Sequence, residues 1–123
     1  MTESSLTGRR ILVVEDEYMI ADAMQRGFED QGAIVVGPAP SVRQALRLLD
    51  AAADLDGAVL DMNLGDEAVF PVADALQARG IPFLFTTGYD AAGVPPAWRH
   101  VLRLEKPIEF AAIIRALSDC CAT

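Results

Sequence analysis

Cationic charge, thiols and long apolar runs are what this chain of 123 residues has least of. Ten lysines and arginines face eighteen acids, for a net charge of −8. That balance excludes the clustered basic surface that a phosphate backbone or an anionic membrane requires, so neither nucleic acid nor membrane is expected as a partner. It suits a module that binds cations or basic protein surfaces. The two cysteines, Cys120 and Cys121, are neighbours at the end of the sequence, where disulfide geometry is hard to reach and a bridge stabilises little. They read as thiols of a reducing cytoplasm. The longest apolar run, around 81–85, is strand-sized and far short of the roughly eighteen residues of a spanning helix. The first five residues lack the basic start and apolar stretch of a signal peptide, so the expected location is cytoplasmic. Phosphate-cradling glycine loops of the Walker and Gly-x-Gly-x-x-Gly kinds are absent. The sole histidine, His100, has no partner at triad spacing and is expected at the surface.

What is present is a regular alternation. Apolar runs at 11–14, 33–36, 58–60, 82–85 and 101–104 read as strands. Between them lie stripes at helical spacing: Ile20, Met24, Gly27 and Phe28, stopped by Gly32; then Val42, Ala45, Leu46 and Leu49. Ser41 and Gln44 form a capping box for the second helix, and Pro71 and Gly80 bracket a third. The stretch 91–98 carries Gly93, Pro95 and Pro96, so a helix there should be short or broken. Phe110, Ile113, Ile114 and Leu117 mark the last helix. Trp98 fits core or an exposed face equally. Strands apolar on both faces, alternating with helices, make a doubly wound α/β domain with a five-stranded parallel sheet. The length and the lack of repeats or linkers give a single domain over 1–123, with 1–8 flexible and 120–123 a tail.

In such a sheet, ligands bind outside the carboxyl ends of the strands. There the sequence places Glu15 and Asp16 after strand one, Asp61 after strand three, Thr87 after strand four and Lys106, the only lysine, after strand five. Crowded carboxylates repel unless one is protonated or a cation sits among them. Hard oxygen ligands without histidine or cysteine point to Mg²⁺. The segment from Asp61 to Asp66 fails as a calcium loop, lacking glycine at the sixth position and a glutamate at the twelfth. A compact ammonium at Lys106 is a good point-charge partner for a phosphoryl group.

These residues resemble the receiver domain of bacterial two-component response regulators. The resemblance runs from Ile11-Leu-Val-Val-Glu15-Asp16-Glu17 through Leu60-Asp61-Met-Asn63-Leu and Phe85-Thr-Thr87-Gly88 to Leu104-Glu105-Lys106-Pro107. It implies a flavodoxin-like strand order 2-1-3-4-5. It also implies that Asp61 accepts a phosphoryl group from a histidine kinase or phosphotransfer protein and that the output goes to a downstream protein. The chain would then be a switch that catalyses only its own phosphorylation and dephosphorylation. By resemblance, Asp16 and Asp61 are Mg²⁺ ligands, Glu15 acts through water, and the Asn63 carbonyl completes the protein shell. Lys106 would pair with the phosphoryl oxygens, Thr87 would hydrogen-bond to them, and Lys106-Pro107 resembles the family's cis peptide. Arg103 stands where receivers usually carry a switching aromatic. With 82–89 it resembles a mostly stand-alone subgroup bearing a Phe-x-Thr-Gly-Tyr signature. Arg103 is therefore expected to stay at the surface or pair with an acid, and the signal to leave through Thr87 and the loop beyond it, with Tyr89 as reporter. Two rival readings are a haloacid-dehalogenase-type phosphatase, which wants Asp-x-Asp after the first strand, and a flavodoxin-like cofactor carrier, which wants a hydroxyl- and glycine-rich phosphate loop.

Overall fold

A computed structural model describes residues 6–52, 54–88, 94–106 and 109–121. In chain order the elements are β1 (Arg10–Val14), α1 (Tyr18–Asp30), β2 (Ile34–Ala39), α2 (Val42–Ala51), β3 (Gly57–Asp61), β4 (Asn63–Leu64) and β5 (Glu67–Ala68). They continue with α3 (Phe70–Ala78), β6 (Phe83–Thr87), a 3₁₀ turn (Pro96–Trp98), β7 (Arg103–Glu105) and α4 (Phe110–Cys121). The main sheet is parallel, in the order β2-β1-β3-β6-β7, which is the expected 2-1-3-4-5 counted over its five strands. β4 and β5 form a separate antiparallel ribbon directly after Asp61.

Period-two alternation sorts the strands' side chains between two helical layers. Leu12, Val14, Leu60 and Phe85 pack with Ala45 and Leu49 of α2 and Val72 and Leu76 of α3. Ile11, Val13, Val59 and Leu84 pack with Met24 and Phe28 of α1 and Ile113 and Leu117 of α4. The α1/α4 contact is close because residue 27 is glycine: a Cβ there would lie 2.5 Å from the Phe110 ring. Phe110 in turn meets Phe28 edge-on at 4.9 Å. The helix-breaking cost of this glycine, about 1 kcal/mol, is offset by the ring it admits. Ser41 Oγ accepts the Gln44 N–H at 3.2 Å, as the capping box requires.

Several boundaries differ from the sequence reading, each for a local reason. β2 does not stop at Val36 but runs through Gly37 and Pro38 to Ala39, with the register against β1 shifting between Leu12 and Val14. An edge strand tolerates proline, because the missing N–H faces outward. Gly37 sits at φ +102 with Val13 O and Ala39 N within 2.9 Å of where a Cβ would be, so only glycine fits. β6 continues past Phe85 to Thr87, since the two threonines are themselves good strand formers. Conversely, 101–102 belong to a turn, where the Val101 N–H bonds to the Trp98 carbonyl at 3.1 Å, and β7 begins at Arg103. Among the described residues, the helix between β6 and β7 is reduced to the single 3₁₀ turn. Its Trp98 is core: it stacks on Phe70 (6.2 Å, 5°) and meets Phe85 edge-on. Leu6, inside the stretch expected to be loose, is fully buried in the α1/α4 layer, and α4 extends to Cys121.

Candidate functional site

β1, β3 and β7 each deliver one ionisable residue to the same rim. The Glu15 N–H donates to the Ala39 carbonyl at 3.0 Å, continuing the ladder with β2, and only 2% of Glu15 is exposed. Asp61, the last residue of β3, is 4% exposed. Asp16 is exposed beside them, and oxygens of Glu15, Asp16 and Asp61 all lie within 4.8 Å of one another. Lys106 is fixed by its own N–H, which donates to the Thr87 carbonyl at 2.7 Å. Its Nζ sits 3.0 Å from Asp61 Oδ2, 3.2 Å from Glu15 Oε1 and 3.5 Å from Glu17 Oε1. The other oxygen of Asp61 accepts the Asn63 N–H at 3.1 Å, and Glu15 Oε2 accepts the Glu17 N–H at 3.1 Å. Gly65, at φ +60, brings the β4–β5 turn up to Asp16.

One ammonium does not balance these acids. Burial pushes the Glu15 carboxyl up to about 8, helped by the hydrogen bond and charge of Asp61 and opposed by the Glu17 N–H and Lys106. Burial alone acts to lower the Lys106 pKa, but the hydrogen bonds and charges of Asp61 and Glu15 outweigh it and raise it on balance. Burial and the neighbouring Asp61 thus favour a proton on Glu15, next to the ammonium that donates to Asp61 Oδ2. That proton stands in for a missing positive charge. The donor set is all oxygen, which fits a hard divalent cation such as Mg²⁺.

The structure thus brings together Glu15, Asp16, Asp61 and Lys106, with the main chain of Asn63 against Asp61. Thr87 is buried at the end of β6 with no hydrogen-bond partner for its hydroxyl. Arg103 is half-buried, its guanidinium donating to the Arg99 carbonyl at 3.4 Å, and among the described residues it pairs with no acid. A hollow of about 410 Å³ opens beside it, lined by Thr87, Arg99, His100, Arg103 and Glu105. Tyr89 and Pro107 lie outside the described residues, and with them the reporter role and the cis peptide expected there. Two participants escaped sequence reasoning. Glu17, the third acid of the 15–17 run, reaches Lys106, and Thr86 carries a second buried hydroxyl without a partner. The acidic run was a signal for the first; Thr86 had none until β6 proved longer.

No protein-family model matches this chain, and no curated protein does. Solved structures do. SdrG from Sphingomonas melonis Fr1 is 37% identical over 98% of this chain and 99% of that one, with a TM-score of 0.79. The BeF3-activated conformation of SdrG from Pseudomonas melonis Fr1 is 34% identical over 98% and 99%, with a TM-score of 0.76. A response regulator receiver protein from Sinorhizobium medicae WSM419 is 25% identical over 94% and 96%, with a TM-score of 0.80. A flavodoxin-like sheet with an acidic rim and a single lysine facing it is the architecture of a signalling receiver. This chain belongs to the response regulator receiver family. Among the described residues, no helix is long and apolar enough to cross a membrane.

Proposed function

We propose that this chain is a phosphorylation-controlled switch in which Asp61 accepts a phosphoryl group from a phosphohistidine of a histidine kinase or phosphotransfer protein. One observation carries the reading: Asp61 is buried at a strand end, held by the Asn63 N–H on one oxygen and the Lys106 ammonium on the other, 3.1 and 3.0 Å away. Phosphoryl transfer needs positioning and charge neutralisation more than acid–base chemistry. A carboxylate oxygen of Asp61 attacks phosphorus; the new O–P bond forms as the P–N bond breaks, and the donor imidazole leaves with the electron pair and takes up a proton. Lys106 balances the charge of the arriving oxygens, and the unpartnered Thr87 hydroxyl donates to one of them. Glu15, Asp16, Asp61 and the Asn63 carbonyl would hold Mg²⁺. When bound, that ion neutralises charge on the phosphoryl group.

The BeF3-activated form of the SdrG relative supports a switch of this kind. Phe85, Thr87 and Gly88, with Tyr89, match the Phe-x-Thr-Gly-Tyr run of stand-alone receivers, which act on other proteins. Neither rival reading gains an observation, because the candidate nucleophile follows β3 and the rim offers no glycine-rich phosphate loop. Incubation with acetyl phosphate and Mg²⁺, followed by intact mass, separates the three. A stable gain of one phosphoryl group supports the switch. Sustained release of inorganic phosphate from phosphoesters supports the phosphatase, and a bound yellow chromophore the flavoprotein.

A further inference from the structure

β6 ends in two threonines whose hydroxyls are both buried and both without a hydrogen-bond partner. Side chains alternate along a strand, so the two point to opposite faces of the sheet. Thr87 shares the face of Phe85, towards α2 and α3. Thr86 shares the face of Leu84, towards α1 and α4. In register, Thr86 lies between Asp61 on β3 and Leu104 on β7, and residues paired across a ladder share a face. Lys106 follows Leu104 by two residues and lies on this face as well, its stem lining a hollow with Met19, Ile20, Phe110 and Ile113. Reaching Asp61 Oδ2 at 3.0 Å from β7 takes the lysine side chain past β6, the strand between them, on the face that Thr86 shares. Thr86 is 0% exposed, and its carbonyl takes the Met62 N–H at 2.8 Å, which locks it to the backbone immediately after Asp61.

An ammonium has three N–H donors. In the structure they face Asp61, Glu15 and Glu17. A divalent cation among the carboxylates would draw the Asp61 and Glu15 oxygens to itself and leave the ammonium short of acceptors. Apart from Lys106 itself, the residues that line the hollow along its stem carry apolar side chains, Met19, Ile20, Phe110 and Ile113 among them. We infer that Thr86 is a positioning residue: once the carboxylates around Lys106 are neutralised, its hydroxyl accepts one ammonium N–H and keeps the ammonium over Asp61. The two orphan hydroxyls then have separate tasks, Thr87 facing the phosphoryl group and Thr86 facing the lysine. This rests on the reading of Asp61 as the phosphoryl acceptor.

The sequence makes the test clean, since Lys106 is the only lysine. Protein labelled with ¹⁵N at the lysine side chain gives one ammonium signal, observed with and without Mg²⁺ in the wild type, Thr86→Val and Thr86→Ser. Valine is nearly isosteric and removes only the hydroxyl; serine keeps it. With Mg²⁺ bound, the ammonium protons of Thr86→Val should exchange with solvent about threefold to tenfold faster than the wild type's, the ratio one hydrogen bond commands. Phosphoryl uptake from acetyl phosphate should slow by a similar factor, Thr86→Ser should restore both, and the melting temperature of Thr86→Val should not fall. A purely structural threonine predicts the opposite: a lower melting temperature in Thr86→Val with unchanged ammonium exchange. Equal exchange in all three proteins with Mg²⁺ bound overturns the inference while leaving Asp61 phosphorylation intact. A wild type that neither takes up phosphoryl groups nor changes its ammonium signal with Mg²⁺ overturns both.

Discussion

Replacing Asp61 by asparagine should flatten the pH dependence of stability in the metal-free protein. In the native state the Glu15 carboxyl is held at about 8, against an ordinary value of 4.5. Across that interval the folded chain keeps a proton that the unfolded chain has lost, so stability is greatest below the lower value and falls as pH rises towards the upper one. Every pH unit of that interval is worth about 1.4 kcal/mol, which gives a ceiling of about 5 kcal/mol for this one group. Asp61→Asn removes two of the three causes that raise Glu15, the hydrogen bond and the charge of Asp61. Burial remains, opposed by the Glu17 N–H and by Lys106, which is then free to pair with Glu15 alone. The buried charge count is conserved: a protonated Glu15 beside an Asp61–Lys106 pair becomes an ionised Glu15 bonded to Lys106. The variant should therefore be more stable than the wild type at pH 8.5 by about 1–3 kcal/mol, with little difference near pH 5. For a domain of this size that is roughly 3–12 °C in melting temperature. Thermal unfolding in EDTA, followed by far-UV circular dichroism from pH 5 to 8.5, reads it directly, and the difference between the two proteins cancels groups they share. A wild-type melting temperature that stays level from pH 5.5 to 8.5, or an equal slope in Asp61→Asn, would refute the reasoning.

The same proton makes cation binding pH-dependent: Mg²⁺ affinity should rise with pH up to about 8, by at most about tenfold per pH unit, and binding at pH 7 should release a proton. Calorimetry in buffers of different ionisation enthalpy measures that release, and identical heats in all of them would contradict it. Thr87→Val removes a buried hydroxyl that has no partner, so the unphosphorylated variant should be equal or up to about 1–2 kcal/mol more stable by urea titration, yet lose the conformational response to phosphorylation. A clear loss of stability would show that the hydroxyl is satisfied in solution. Trp98→Ala empties a slot between Phe70, Phe83 and Phe85 and should cost about 3–5 kcal/mol, measured as a drop in denaturation midpoint. A change under about 1 kcal/mol would place the ring outside the core. Lys106→Arg keeps the charge on a wider planar group; Mg²⁺ should still bind while phosphorylation no longer alters the amide spectrum, and a variant that switches normally would count against the point-charge role.

Much of the site was legible because Glu15 and Asp61 follow directly on apolar runs and Lys106 comes two residues after the last expected strand, and the strand-end rule then places them on one rim. Gly32, Ser41 and Gly80 marked helix ends for reasons local to their own backbones, and those held. What escaped depends on distances that no spacing encodes. Burial of Glu15 comes from tertiary packing, and that burial, with Asp61 beside it, favours its proton. Thr86 and Thr87 read as lying just beyond a strand that ends at Phe85, whereas pairing with β3 and β7 carries them into the sheet. The apolar run at 33–36 read as a strand that ends before Pro38, yet an edge strand has room for that proline. Trp98 was ambiguous until Phe70 and Phe85 met it from either side.

The central claim is an acyl phosphate on Asp61, and reductive trapping tests it most directly. Borohydride converts an acyl-phosphate side chain to the corresponding alcohol, so protein treated with acetyl phosphate and Mg²⁺ and then reduced should yield a peptide with homoserine at position 61. That product should be absent without Mg²⁺ and absent from Asp61→Asn. Homoserine arising at position 16 or elsewhere, or phosphoryl uptake with position 61 left unmodified, would contradict the account.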